Sequence, residues 1–462
     1  MTAWLAQHLA LVMFAVLGVA LFCGYPVGLV LGGLAILFGA AGWALGAFEP
    51  IQFANLLPRM FGAVAANSIL VAIPMFIFMG MLLEKGGIAT RLLHCLEVLT
   101  RRVPGGLAMS VTLMGTIMAA TTGIVGASVI MLTLIALPAM LARGYSKELA
   151  VGTIASAGTL GILIPPSIML VVMGDLLQVS VGTLFAGALF PGLLLSALYL
   201  LYIGAISWLK PGLAPALPPD VGPKSRAEFW RMIGKSFFPP VLLVVLVLGS
   251  IFGGWATPTE AAGVGSLGAI GLVWHAGKLD AKTVQETIES SALTNAMVFM
   301  LFFGATAFSF VFRALGGDDI VKDVMNAAGI DTGWEVLIFV QALVFALGFF
   351  FDWIEISLIV LPVFAPLLRD FDFTGHLGPG GNTLFLAWFI IVLAVNLQTS
   401  FLTPPFGFTL FCMRGTVPPS VSMGDIYRGT VPFVVLQLIG LALTIWLPEL
   451  VLWLPRRTGL LL

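Results

Sequence analysis

Apolar runs of about the length that crosses a bilayer recur along the whole chain, separated by short polar stretches. Roughly 20 consecutive apolar residues cross the hydrocarbon core. That rule places spans near 4–23, 27–47, 67–84, 149–178, 183–209, 236–253, 259–275, 293–313, 383–413 and 430–453. Two further apolar stretches, 106–142 and 336–368, are too long for one span, yet no polar loop divides them. Gly123 and Gly126 interrupt the first, and Gly348 and Asp352 the second. Each reads as a re-entrant hairpin that dips into the membrane and returns to the same side.

Composition agrees with this pattern. Hydrophobic residues make up 60% of the 462 positions and charged residues 9%, against roughly 25% charged in soluble domains. Mean hydropathy is +1.09. A water-soluble globule is excluded, and a formal charge of -1 offers no case for nucleic acid. The start, "MTAWLAQHLALVMFAVLGVALFCGYP", has no basic residue before its apolar run and no small-x-small cleavage motif, so it reads as a retained first span. Cys23, Cys95 and Cys412 lie far apart without metal-type spacing and read as small apolar residues.

Charge sets the expected orientation. Lys85, Arg91, Arg101 and Arg102 precede the first hairpin, and Arg143 and Lys147 follow it, which puts both of its ends in the cytoplasm. Asp318, Asp319, Asp323, Asp331, Glu335, Asp370 and Asp372 flank the second hairpin, which places its ends outside. A basic, proline-rich loop at 210–235 is the strongest cytoplasmic marker and divides the chain nearly in half. Counting spans from it puts both termini outside, with Arg456 and Arg457 as a local exception.

The halves resemble each other. "PMFIFMG" (74–80) matches "VFMLFFG" (298–304), and "LTLIALP" (132–138) matches "ISLIVLP" (356–362), both at an offset of 224. "TLGILIPPS" (159–167) pairs with "QTSFLTPPF" (398–406) at an offset of 239. The expected fold is an all-α polytopic membrane protein of two inverted-topology repeats. Repeat 1 spans 1–209: scaffold helices within 1–84, an interfacial helix at 88–102, hairpin 106–142, broken helix 149–178 and helix 183–209. Linker 210–235 is cytoplasmic. Repeat 2 spans 236–453: helices within 236–313, hairpin 336–368, broken helix 383–413 and helix 430–453. A proline inside a helix costs about 3 kcal/mol and bare peptide groups in lipid cost several more. Paired broken helices in inverted halves therefore point to a transporter's binding site.

"GTLGILIPPS" (158–167), "NLQTSFLTPPFGFTLF" (396–411), "GWATPTEAAGVGSLGA" (254–269) and "AIPMFIFMG" (72–80) resemble the large membrane subunit of tripartite ATP-independent periplasmic (TRAP) transporters over nearly the whole chain. The resemblance implies an elevator, in which hairpins and broken helices slide against a fixed scaffold in the bacterial inner membrane. It also implies sodium-coupled uptake of a small organic acid, a small membrane subunit and a periplasmic substrate-binding protein. Family members often carry a Ser-Gly-Ser type turn at the first hairpin tip, where this chain has "TTGIVGAS" (121–128).

The residues suggest two sodium sites, because hard cations prefer oxygen ligands. The first joins tip residues Gly123, Gly126 and Ser128 to the break at Gly158, Thr159 and Pro165; small residues that only allow close helix packing fit the same pattern. The second joins Gly348 and Asp352 to Thr399, Ser400, Thr403 and Pro404, with an acid at the water interface of a shallow hairpin as the alternative for Asp352. A half-helix starting after Pro166 offers free N–H groups to an anion. Ser167, Asn396 and Gln398 are accordingly the candidate carboxylate contacts, with interhelical bonding the alternative for Asn396. No lysine or arginine lies clearly within the expected core, which argues against a trivalent or phosphorylated substrate. Hydroxyls and carbonyls dominate the breaks, which favours sodium over proton coupling, and no cofactor is expected. A stand-alone sodium/anion symporter and, more remotely, an intramembrane enzyme are the competing functions. "GVGSLG" (263–268) has no preceding strand and is no nucleotide motif. The glycines of "GYPVGLVLG" (24–32) suit a close helix crossing.

Overall fold

In the computed structural model, the residues described are 8–122, 125–216, 222–223, 225–369, 371–378, 381–404 and 407–460. Among them the regular structure is entirely helical. The first half holds α1 (Leu9–Leu21), α2 (Val27–Ala44), α3 (Pro50–Met60), a π turn (Phe61–Ala65), α4 (Ala72–Lys85) and α5 (Ile88–Thr100). It continues through α6 (Gly106–Thr122), α7 (Val125–Ala142), α8 (Lys147–Thr159), α9 (Ile168–Leu177) and α10 (Val181–Leu209). The second half runs α11 (Arg226–Ser236), α12 (Phe238–Phe252), α13 (Pro258–His275), α14 (Ala281–Ala314) and α15 (Gly317–Ala327). Then come α16 (Gly333–Leu347), α17 (Trp353–Arg369), α18 (Thr374–Leu377), α19 (Gly381–Leu402), α20 (Phe408–Arg414), α21 (Met423–Trp446) and α22 (Glu449–Thr458).

The order repeats: hairpin α6–α7 corresponds to α16–α17, broken helix α8–α9 to α19–α20, and α10 to α21. The halves interlock. Helix α2 of the first half packs on α14 of the second, and α13 of the second packs on α4 of the first. Glycine allows the first of these crossings. A Cβ on Gly28 would lie 2.7 Å from the Met300 carbonyl oxygen, and one on Gly304 would lie 3.0 Å from the Gly28 Cα. The "GVGSLG" glycines lie within α13, where Gly265 faces Met79 and Gly268 faces Leu243.

Among the described residues six helical stretches are long and apolar enough to cross a membrane: Val27–Ala44, Val181–Leu209, Arg226–Phe252 (α11 with α12), Ala281–Ala314, Leu384–Leu402 and Met423–Trp446. Other expected crossings are made by shorter or broken helices, which is what two hairpins and two interrupted spans require. The broken helices lie innermost. Every residue of α8 from Leu149 to Thr159 is buried, and 94% of Leu384–Leu402 is buried. Helices apolar on all sides belong in such a position. Only 28% of the apolar stretch in Arg226–Phe252 is buried, leaving Leu242, Val245 and Leu246 for lipid.

Four expected boundaries need correction. The loop 210–235 is not wholly irregular, because Ser225 accepts the Glu228 amide at 3.2 Å and starts α11. The expected span 293–313 is the apolar part of a 34-residue helix that starts at Ala281, capped by Asp280 through the Thr283 amide at 2.7 Å. The expected span 67–84 begins at Ala72, after the π turn. The expected final helix 430–453 is two helices: α21 starts at Met423 behind a Ser422–Asp425 capping box, and α22 turns away beyond Trp446. Hydropathy windows miss these ends, since polar turns outside the bilayer are still helical. Arg456 is also no free charge, since it pairs with Glu449 and donates to the Leu377 carbonyl at 2.6 Å. Between α4 and α5 the axis bends by 62° at Gly87.

Candidate functional site

Both breaks are built from sequence-local chemistry. Helix α8 ends at Thr159, tightens into one 3₁₀ turn over Leu160–Ile162, and stops. The Leu160 carbonyl accepts the amides of Leu163 at 3.1 Å and Ile164 at 3.0 Å. Pro165 and Pro166 have no amide to continue the ladder. Ser167 then starts α9: its hydroxyl donates to the Ile162 carbonyl and accepts the Leu170 amide at 3.4 Å. The second break is similar. Thr403 donates its amide to Ser400 at 3.2 Å, and Gly407 donates to Thr403 at 3.3 Å before α20 begins. Pro404 lies in this turn, half-buried.

Each hairpin tip is seated on its own break. At the first, Gly158 meets the backbone of Val129, where a Cβ would lie 3.2 Å from the Val129 Cα. Beside that contact is a cavity of about 10 Å³, bordered by Gly115, Ser128, Ala157, Gly158 and Gly161. That is close to the room one water needs, and hence a size for one small cation. Of the first predicted set, Ser128 and Gly158 border this cavity. Thr159 turns elsewhere, donating to Ser156 O at 2.9 Å and accepting from Gln437 at 3.5 Å. Pro165 terminates the helix without bordering the cavity, and Gly123 lies outside the described residues.

At the second tip, Gly348 rests directly on the Ser400 side chain. The three predicted hydroxyls all donate backwards within α19: Thr399 to Val395 O at 3.4 Å, Ser400 to Leu397 O at 2.8 Å, and Thr403 to Thr399 O at 2.7 Å. A hydroxyl whose proton is committed to a carbonyl keeps its lone pairs for a cation. The acids at this tip have a local task. Asp352 accepts the Trp353 amide at 2.8 Å, and Glu355 accepts the Asp352 amide at 3.2 Å. Glu355 thus supplies the N3 half of a capping box at the start of α17, while Asp352 holds the first helical amide.

Elements of the two halves meet beside the first tip. A Cβ on Gly126 would lie 3.4 Å from Cys412 Sγ. Helix α20, from the second half, packs on α7, and α9, from the first, packs on α17. Cys412 therefore reports on the first tip from the second half's broken helix, and it is partly exposed whereas Cys95 is buried. Maleimide labelling of Cys412, read by mass spectrometry, is expected to slow several-fold when sodium replaces choline. Equal rates in the two salts would separate Cys412 from any ion-dependent ordering.

The predicted substrate residues divide. Ser167 is a helix cap whose hydroxyl is engaged on both sides. Asn396 donates to the backbone and side-chain oxygens of Gln341 at 2.7 and 2.8 Å, an interhelical bond between α16 and α19. Gln398 is fully buried, and neither polar atom of its side chain has a hydrogen-bond partner among the described residues. A buried unsatisfied amide costs about 1–3 kcal/mol, so Gln398 stands out as a group in need of a ligand.

Sequence reasoning missed a larger feature. A crevice of about 840 Å³ opens between α3, the π turn and α14 on one side and α9 and α17 on the other. Arg59, Asn67, Asp175, Gln178, Ser309 and Arg313 line it. One signal was present, since Thr306, Ser309 and Arg313 follow helical spacing along one face of an apolar span.

Residues 11–450 match the DctM family, the DctM component of the tripartite ATP-independent periplasmic transporters. The C4-dicarboxylate TRAP transporter large permease protein DctM of Pseudomonas aeruginosa is 29% identical over 89% of this chain and 92% of its own. The ectoine/5-hydroxyectoine TRAP transporter large permease protein UehC of Ruegeria pomeroyi is 29% identical over 96% of this chain and 98% of its own. In fold, the chain is similar to the YdaH transporter of Alcanivorax borkumensis, described as having an unusual topology. The TM-score is 0.62 at 16% identity, covering 98% of this chain and 99% of that one.

Proposed function

Because the chain belongs to the DctM family of tripartite ATP-independent periplasmic transporters, we propose that it drives sodium-coupled uptake of a small organic acid by an elevator movement. It is a multi-pass permease subunit of the bacterial inner membrane and not an enzyme. The family's permeases work with a small membrane subunit and a periplasmic binding protein, which hands the solute over here. One observation carries the reading: two hairpin tips rest on two buried helix breaks, and at the second break the hydroxyls of Thr399, Ser400 and Thr403 already commit their protons to backbone carbonyls. Such oxygens suit sodium better than a proton relay, which relies on intramembrane acids and histidines.

The elevator reading is supported by how few polar ties cross the crevice. Asn67 donates to Asp175 at 2.6 Å, and Arg313 donates to the Pro362 carbonyl at 2.7 Å. In this reading α2, α4, α13 and α14 form the scaffold, and the hairpins and broken helices move. Both termini lie in the periplasm. The sodium ligands come from Ser128 and Gly158 with neighbouring carbonyls at one tip, and from Thr399, Ser400, Thr403 and Asp352 at the other. The carboxylate binds between the tips, beside Gln398. A C4-dicarboxylate and ectoines are the solutes named for relatives, so a small carboxylate is the expected cargo.

Reconstitution in proteoliposomes with both partner subunits tests this. Saturable uptake that requires an inward sodium gradient and the binding protein is expected. Full transport by this chain alone would instead indicate a self-sufficient symporter, and rapid flux without ion dependence would exclude a carrier. In the same assay Asp352→Asn should raise the half-saturating sodium concentration by roughly tenfold, equivalent to about 1.4 kcal/mol. An unchanged sodium curve would leave Asp352 only its capping task.

A further inference from the structure

The crevice between α3/α14 and α9/α17 holds chemistry that the tip sites lack, and we propose that it is a separate receiving site for a small carboxylate anion, with Arg59 and Arg313 as its cations. This rests on the reading of the chain as an organic-acid carrier and adds a station between arrival of the solute and its seating at the tips.

Size comes first. About 840 Å³ falls within the range of small-molecule sites, roughly 300–1,000 Å³. The charges come next. The Arg59 guanidinium sits over the Phe310 ring at 5.3 Å, a cation–π contact that does not use up its N–H donors. Among the described residues no carboxylate lies within ion-pairing distance of it. Arg313 donates to the Pro362 carbonyl at 2.7 Å and has Asp318 at 3.8 Å. The acid in the lining is Asp175, and Asn67 already donates to it at 2.6 Å. Asp318 offsets Arg313, which leaves Arg59 as the guanidinium of the lining with no carboxylate beside it among the described residues.

Polar neutral groups complete the set. Thr306 and Ser309 on α14 add hydroxyls, and Gln178, whose amide donates to the Asp175 carbonyl at 2.7 Å, stiffens the opposite wall. Planar guanidinium matches carboxylate geometry with paired hydrogen bonds. A cationic or purely apolar solute has no reason to stay in such a place. Position supports the same role. The basic stretches assign the far end of the protein to the cytoplasm, so this crevice faces the periplasm, where the solute arrives. Both walls contribute, and they belong to the two groups of helices that the elevator reading moves apart. A solute held there touches the fixed and moving parts together.

The test uses the full chain in lipid nanodiscs, without sodium, with succinate and lactate as probes and choline chloride as the cationic control. Both acids are expected to raise the melting temperature saturably, choline is not, and added salt should weaken the effect. Arg59→Gln should raise the half-saturating acid concentration at least about tenfold, the worth of a charge-assisted contact. Arg59→Lys should recover part of it. Arg59 is exposed, so the variant is expected to fold; an unchanged melting temperature without ligand checks that. If neither acid stabilises the wild-type chain, the receiving site does not exist. The proposal also falls if Arg59→Gln leaves affinity intact while Gly348→Ala removes it, because the acid then binds only at the tips. The carrier reading survives both results. It fails separately, through absence of sodium-driven uptake in proteoliposomes.

Discussion

A chain carrying Pro165→Ala and Pro166→Ala is expected to insert at wild-type levels and to lose sodium-driven uptake by at least an order of magnitude. The reasoning starts from what the two prolines prevent. Each disfavours a helix interior by about 3 kcal/mol, and together they withhold two successive amides. Remove both, and α8 can propagate through Leu160–Ile164 into α9, satisfying peptide groups that a low-dielectric interior leaves expensive. The driving force that closes the helix also erases the turn beside Gly158 on which the first hairpin tip rests. Insertion should not suffer, because the segment becomes a more regular apolar helix. Prolines elsewhere supply the control. Pro191 sits within continuous α10 and Pro432 within continuous α21, so a single proline does not by itself break a span here. Pro191→Ala should leave uptake within about twofold of wild type. Wild-type uptake by the well-inserted double variant would show that the break is incidental.

That contrast also marks how far the chain could be read before its structure. Broken spans were visible because paired prolines next to glycines are an unusual expense in an apolar run. Hairpins were visible because 106–142 and 336–368 are too long for one crossing and too apolar for a loop. Side-chain direction was not visible. Thr159 and Ser128 look equivalent in sequence, yet one turns towards Gln437 and the other borders the small cavity. Asn396 looked available, yet its amide nitrogen is spent on Gln341, a residue with no motif around it.

The acids teach a related lesson. "FDWIEI" looked unusually acidic for a tip, and local pattern alone could have assigned it, since Asp-x-x-Glu before an apolar run signals a helix start. The crevice was beyond such reasoning. Arg59 falls in a stretch between expected spans, and only packing of α3 and the π turn against α14 brings it beside Arg313 and across the crevice from Asp175. A site assembled from distant walls leaves no spacing to count.

The second large effect is steric. Gly348→Ala should reduce sodium-driven uptake by at least tenfold, since a displacement of about 1 Å at a reacting or binding geometry costs of order a hundredfold. Gly348 has φ -66, an ordinary helical value, so alanine meets no conformational penalty there. What it meets is Ser400, whose side chain occupies the place of the new methyl. The Ser400 hydroxyl could rotate, but its Cβ is fixed by α19, one of the most buried helices in the protein, so the hairpin tip must lift. In the proposed second site, lifting draws the tip away from Thr399 and Thr403. Ser400→Gly in the same chain removes the obstruction and should recover most of the lost uptake, although the half-saturating sodium concentration should stay raised if Ser400 is one of the proposed ligands. Normal uptake by Gly348→Ala alone would mean the tip does not rest on Ser400 during transport. Failure of the double variant to recover would mean the lesion lies elsewhere than in this contact.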